Sequence, residues 1–257
     1  MKPKKSLGQN FLIHKAICER IVIASGVKEN DIVLEIGPGR GILTRALLKQ
    51  VKKVIAVETD PDLIPLLEEA FSFEIESGRL LLIHSDIRNL DASVLPSEFH
   101  LVANIPYYIT GEIIRGFLSA PHKPRSMTLL VQKEVAKRIT SKGKESLLSL
   151  SVKLYGVPKY CFTVSRGAFS PAPSVDSAVL SIQNISQSGY TTEQEAAFFE
   201  LLHTGFGQKR KMLANNLEAL YSQERIDDAF TTAKLNKKIR SEDMSLVQWK
   251  LLFEHLN

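Results

Sequence analysis

Between Asp31 and Gly156 short apolar runs alternate with segments of helical periodicity, and no other feature limits the fold as sharply. The runs "DIVLEIG" (31–37), "KVIAVET" (53–59), "RLLLIHSD" (79–86), "HLVANIP" (100–106) and "SMTLLVQ" (126–132) read as buried strands. Between them, "GILTRALLKQ" (41–50), "PDLIPLLEEAF" (61–71) and "TGEIIRGFLSA" (110–120) read as helices, the second with a proline in its first turn. Two more helical patterns follow, "KEVAKRIT" (133–140) and "SLLSLSVKLYG" (146–156). Strands apolar on both faces and separated by helices predict an α/β fold. Its sheet is Rossmann-like and mostly parallel, covered by helices on both sides. "KYCFTVS" (159–165) and "SAVLSIQ" (177–183) have no helix between them and predict an antiparallel pair at one edge.

The rhythm changes after Gln183. "NISQSGYTTEQEA" is polar and reads as a linker running into a helix capped by Thr191 or Thr192. Every later pattern is helical, which predicts a first domain over 1–186 and a small all-α domain over 187–257. With 257 residues and 44% hydrophobic content, the chain can bury a core of this size. Cys18 and Cys161 share no metal-ligand spacing, and the histidines are scattered, so no metal site is expected. No apolar stretch approaches the ~18 residues of a membrane span. These features predict a cytoplasmic protein with reduced thiols, and a monomer is expected. The net charge of +5 favours a polyanionic partner only mildly. Its distribution says more: Lys2, Lys4 and Lys5 cluster at the start, and Lys209, Arg210 and Lys211 late.

The first strand runs into "EIGPGRGILT", with Gly37, Gly39 and Gly41 ahead of a helix. In a doubly wound sheet this turn lies at the carboxyl edge, where ligands bind. The second strand ends at Glu58, an acid that can accept hydrogen bonds from both hydroxyls of a ribose. Asp60 is an alternative for that role. Asp86 closes the third strand, where a carboxylate can read the exocyclic amine of an adenine or cap the following helix. Together these predict a nucleoside-bearing cofactor. A dinucleotide's pyrophosphate wants G-x-G-x-x-G, which is absent, whereas S-adenosylmethionine carries no phosphate. Glu35, just before the turn, points the same way.

"NIPYYIT" closes the fourth strand. The side-chain oxygen of Asn104 and the carbonyl of Ile105 or Pro106 can accept both hydrogens of an exocyclic amine. That grip draws the amine nitrogen out of conjugation with its ring and makes it nucleophilic. Tyr107 can stack on the face of the base, while Tyr108 is expected to pack in the sheet-to-helix junction. Methyl transfer from a sulfonium is an in-line displacement that needs position more than proton transfer, so no general base is assigned.

The set "KKSLGQNFL" (4–12), "EIGPGRGILT" (35–44), "VETD" (57–60), "SDI" (85–87), "NIPYYIT" (104–110), "VQKEVAKRI" (131–139), "FSPAPSVDSAV" (169–179) and "FGQKRK" (206–211) resembles the bacterial ribosomal RNA adenine dimethyltransferases. The resemblance covers almost the whole chain. It implies a class I methyltransferase sheet that uses S-adenosylmethionine. The implied substrate is the N6 of two adjacent adenosines near the 3′ end of 16S rRNA, in the small ribosomal subunit. By position it implies cofactor contacts from Asn10, Leu12, Gly37, Glu58, Asp86 and Asn104. "GQNFL", which from its residues alone reads as the start of a helix, becomes a lid over the methionine end of the cofactor. Phe169 becomes the second wall of an aromatic clamp with Tyr107, against its plain reading as a loop aromatic tucked into the core. Lys209, Arg210 and Lys211 become rRNA contacts, with "KPKK" as a second set. The segment 142–152 departs from the family pattern: it is shorter and lacks a Tyr-Gly before its Leu-Ser. Two alternatives stand beside this one. The first is a related enzyme that methylates an adenine of 23S rRNA, as in macrolide resistance. The second is mainly a ribosome-assembly binding factor.

Overall fold

The structure is a computed structural model, and it describes residues 3–4 and 7–257. Lys2 and Lys5 of the leading basic cluster therefore lie outside the described residues. The chain forms two compact units. The first runs through Ala136 and resumes over Val157–Ile185, and the second comprises Lys137–Gly156 and Ser186–Asn257.

The first unit opens with β1 (Phe11–Leu12) and α1 (Lys15–Ser25). It continues through β2 (Ile32–Ile36), α2 (Ile42–Leu48), β3 (Lys53–Glu58), α3 (Ile64–Ala70), α4 (Ser72–Glu76), β4 (Leu80–His84), β5 (His100–Asn104), α5 (Thr110–Ser119), β6 (Ser126–Gln132) and the start of α6 (Lys133–Thr140). After the excursion into the second unit come β7 (Val157–Val164), β8 (Phe169–Ser170) and β9 (Ser177–Gln183). Seven strands form one sheet in the order β4, β3, β2, β5, β6, β9, β7. The first five are parallel, and β9 pairs antiparallel with both β6 and β7. This is the expected mostly parallel sheet with an antiparallel edge. Val33, Leu34, Val54, Ala56, Leu101 and Leu129 are buried because helices cover both faces of these strands. Each fully buried Val or Leu contributes about 1.5–3 kcal/mol.

Two local readings need correction. Helix α3 begins at Ile64, and Pro65 rather than Pro61 occupies its first turn. A proline has no N–H to donate, so a helix that includes Pro65 can extend little further in the N-terminal direction. The leading "GQNFL" does not start a helix. Phe11 and Leu12 pair antiparallel with Ser170 and Phe169, forming a small two-stranded ribbon.

The second unit holds α7 (Leu147–Tyr155), α8 (Thr192–Gly205), α9 (Leu213–Leu217), α10 (Gln223–Thr232) and α11 (Leu246–Leu256). It has no strand among the described residues. Thr191 caps α8 in a reciprocal box with Gln194. Buried Phe198, Trp249 and Phe253 fill the interior. The α7 segment, expected within 1–186, groups with this unit, where Tyr155 stacks on Phe199 with ring centroids 6.4 Å apart. No helix among the described residues is long and apolar enough to cross a membrane.

Candidate active site

In the strand order, β3 and β4 lie to one side of β2 and β5 to the other. The direction of winding reverses there, and the loops leaving β2 and β5 part to open a crevice at the carboxyl edge. Register aligns that edge, with Ile36 opposite Val57 and Glu58 opposite His84. Gly37, Glu58, Asp86 and Asn104, each at or just past the end of its strand, therefore line one cleft.

The glycine turn is left-handed at Gly37, Gly39 and Gly41, with φ of 65°, 59° and 75°. Gly39 also has no room for a side chain, since a Cβ there would meet Phe11 Cδ1 at 2.9 Å. The turn is tied to the acid of the next strand: Gly39 N donates to Glu58 Oε2 at 3.0 Å. Glu58 Oε1 accepts from Thr59 N and Asp60 N, each at 2.9 Å. Only 4% of Glu58 is exposed. Burial raises the pKa of its carboxyl, against the pull of those three N–H groups.

Asp86 takes the capping position at the cleft's edge. It lines the cleft, and its carboxylate caps a short 3-10 turn by accepting from Arg88 N at 2.9 Å. The Arg88 guanidinium grips the same carboxylate through Nε at 3.0 Å and a terminal nitrogen at 2.6 Å. Those bonds hold Asp86 below the usual carboxylate range.

Asn104 Nδ2 donates to the carbonyl of Asn10 at 3.1 Å. The side-chain nitrogen is thereby engaged by the leading segment, and Oδ1 keeps its acceptor capacity. Tyr107 lines the cleft with its hydroxyl fixed to Ser177 Oγ at 2.7 Å, and burial raises its pKa. Tyr108 does not pack in the junction. It is 64% exposed and also lines the cleft. The chain leaves β5 into a 3-10 turn over Tyr107–Ile109, where the alternation of a strand no longer decides which way a ring faces.

The leading segment crosses this edge. Asn10 lines the cleft, while Leu12 lines a smaller adjoining cavity together with Glu35, Gly37 and Asn104. The Phe11 ring covers Gly39 and lies beneath the Arg40 guanidinium, 4.9 Å from the ring centroid. Phe169 is 4% exposed. It belongs to the hydrophobic core with Phe11 and Leu12, and it is not among the residues lining the cleft. The plain reading of Phe169 as a core aromatic describes its place.

Several contacts at this site are not readable from the sequence. Gln9 and Lys4 both bond to Asp60, which the sequence offers only as a substitute for Glu58. Ser177 orients Tyr107. Glu35 is buried at 1% exposure, and its Oε2 has no hydrogen-bond partner among the described residues. Burial pushes its carboxyl up to about 8, and the nearby Glu58 adds to the rise. The described residues contain no cluster of His, Cys, Asp or Glu able to hold a metal ion.

In the second unit, Lys209, Arg210 and Lys211 are exposed in the turn after α8, and none is in an ion pair among the described residues. Asn216 shapes that turn by donating to the carbonyls of Gly205 at 2.6 Å and Gln208 at 3.2 Å.

The family model described as ribosomal RNA adenine dimethylase matches residues 1–257. Among curated relatives, a ribosomal RNA small subunit methyltransferase A from Dehalococcoides mccartyi is 42% identical, over 98% of this chain and 88% of that protein. One from Clostridium botulinum is 36% identical, over 96% of this chain and 92% of that protein. Among solved structures, the 23S rRNA methyltransferase ErmE superposes with a TM-score of 0.79 at 27% identity, covering 96% of this chain and 99% of that one. A dimethyladenosine transferase from Plasmodium falciparum superposes with a TM-score of 0.76, also at 27% identity, covering 94% of this chain and 95% of that one.

Proposed function

Because the chain belongs to the ribosomal RNA adenine dimethylase family, we propose that it transfers methyl groups from S-adenosylmethionine to the N6 of two adjacent adenosines near the 3′ end of 16S rRNA. The observation that carries this reading is the convergence of Gly37, Glu58, Asp86 and Asn104 on one cleft roofed by Asn10.

The cleft suits the cofactor. Glu58 Oε1 already accepts from Thr59 N and Asp60 N, but Oε2 accepts only from Gly39 N and retains a lone pair for a ribose hydroxyl. Ile87 and Ile105 supply apolar walls for a purine, with Asp86 at the rim. The partnerless Glu35 oxygen beside Leu12 and Asn104 can receive an ammonium group. When bound, S-adenosylmethionine supplies an electrophilic methyl group. The chain's own residues present the nucleophile. Asn104 Oδ1 accepts one hydrogen of the adenine amine. Pro106 O already accepts from Ile109 N at 3.2 Å and from Thr110 Oγ1 at 3.4 Å, which occupies both its lone pairs, so the Ile105 carbonyl is the second acceptor. Tyr107, held by Ser177, offers a face for stacking worth about 1–3 kcal/mol. The target base leaves its own stack to reach them. The exposed Lys209–Lys211 turn within 187–257 contacts rRNA phosphates, and the protein works as a cytoplasmic monomer.

The relatives at 36–42% identity are small-subunit enzymes, whereas ErmE, a 23S rRNA enzyme, is 27% identical, which favours 16S over 23S rRNA. Unmethylated small subunits and 23S rRNA, each incubated with labelled cofactor and analysed by mass spectrometry, test this. Two dimethylated adenosines in 16S rRNA are expected. Label confined to 23S rRNA supports the macrolide-resistance alternative, and label on no adenine overturns the enzyme reading. If Glu58→Ala blocks methylation but leaves subunit binding intact, a role in assembly is separable from catalysis.

A further inference from the structure

Asp60 lies two residues past Glu58, at the same edge of the sheet, and none of its surface is exposed. A carboxylate taken out of water to that degree is costly unless its oxygens are satisfied. Both side-chain partners come from the leading segment. Gln9 Nε2 donates to Oδ2 at 2.6 Å and Lys4 Nζ to Oδ1 at 2.6 Å. The remaining bond is local, from Asp62 N at 3.1 Å. Burial alone would raise the Asp60 carboxyl, but the Lys4 ammonium and the Gln9 amide outweigh it and hold the group below its ordinary value.

The amide of Gln9 is itself oriented. Its Oε1 accepts from Lys4 N at 2.7 Å, which aims Nε2 at the carboxylate. Gln9 immediately precedes Asn10, whose carbonyl accepts from Asn104. Asp60 N also donates to Glu58, so the fold of the chain at Asp60 is coupled to the acid assigned to the ribose. One short segment thus bridges the ends of β3 and β5, and its anchor at β3 is a buried charge with no other side-chain partner among the described residues.

We propose that Asp60 is a positioning residue for the reaction: through Gln9 and Lys4 it latches the Gly8–Leu12 strap over the cleft, and so sets Asn10 and Leu12 for cofactor binding. The proposal rests on the reading of this cleft as the S-adenosylmethionine site. Asp60 touches neither cofactor nor base and acts through the strap. The charged groups facing position 9 are Asp60 and Lys4, with Asp62 across the ammonium and Glu58 behind Asp60.

A mutant cycle tests the latch. Asp60→Asn turns one carboxylate oxygen into a donor facing donors, and Gln9→Glu sets two carboxylates against each other. Each single variant is expected to weaken S-adenosylmethionine binding, measured by calorimetry, by about tenfold or more. In the double variant the new amide at position 60 can donate to the new carboxylate at position 9, which restores the bond with its direction reversed. Recovery of most of the lost affinity is expected there, because the two positions act as one contact. A second readout needs no cofactor: hydrogen exchange of the amides from Leu7 to Ile13 rises in each single variant and falls back in the double. Losses that simply add, or Gln9→Glu binding with wild-type affinity and unchanged exchange, overturn the proposal. If the wild-type protein itself binds no S-adenosylmethionine, the reading of the site has failed, and the latch is judged on exchange alone.

Discussion

Replacing Glu35 with glutamine should make the protein less sensitive to pH, and the size of the effect follows from the structure. Glu35 lies near the end of β2 in full burial, with one carboxyl oxygen lacking a hydrogen-bond partner among the described residues. Its carboxyl is raised from 4.5 to about 8, first by burial and then by the charge of Glu58, while the pull of the nearby Thr44 hydroxyl, which lies outside hydrogen-bonding geometry, is too weak to offset them. The native state therefore holds a proton that the unfolded chain releases. The stability linked to that proton is fully present below about pH 4.5 and is lost as pH rises through about 8. Each pH unit within that window costs about 1.4 kcal/mol. Between about pH 5 and about pH 8 the wild type should lose about 3.5 kcal/mol that the glutamine variant cannot lose, after allowing for partial ionisation at both ends. Urea unfolding of both proteins across that range measures it. Taking the difference between them at each pH cancels the titration of every group that does not interact with Glu35, leaving Glu58 as the coupled neighbour. The stability of Glu35→Gln relative to wild type should climb with pH by about that amount, wherever the difference starts. Parallel pH curves would mean that Glu35 does not change protonation on folding, and the argument from burial would fail.

Three further outcomes follow from the site. Glu58→Gln should weaken cofactor binding by about tenfold or more by calorimetry, since its amide nitrogen faces N–H donors that the carboxylate accepted. Tyr107→Phe keeps the ring and loses only the bond to Ser177, so steady-state methylation should fall a few-fold. Tyr107→Ala also removes the stacking face and should cost about 10- to 100-fold. Phe169→Ala should destabilise the fold by about 3–5 kcal/mol in urea, as for a core phenylalanine. A nearly unchanged stability with lost turnover would instead favour a clamp role.

What is legible along the chain is what local physics dictates. A parallel strand must be apolar on both faces, so β2 to β6 stand out as runs. A helix must show its period, so the alternation can be read without knowing what packs on what. The chemistry is legible for the same reason. In a doubly wound sheet the strand ends are the site, so Glu58, Asp86 and Asn104 can be found by asking which residue closes each run. Legibility ends where local rules stop. Tyr108 follows a proline in a 3-10 turn, and the alternation that predicts a packed ring has already ended at Asn104. Helix α7 has the periodicity of any buried helix, and nothing local says that its partners lie in a unit whose remainder begins at Ser186.

The strap marks the deeper limit. Phe11 and Leu12 find their ladder partners at Ser170 and Phe169, and Gln9 finds its acceptor at Asp60, contacts that no window of sequence spans. A two-residue strand has no period to detect, and a glutamine has no pattern at all. Those long-range contacts hold Asn10 against Asn104 and bury Phe169 as a core residue. The floor of the site is thus written in strand ends and can be read one element at a time. Its roof is held by pairings far apart in sequence, and these become visible only when the chain is folded. Resemblance to the family identifies the roof residues as important, and the ladder to Ser170 and Phe169 together with the buried, doubly partnered Asp60 supplies physical reasons for the strap to lie where it does.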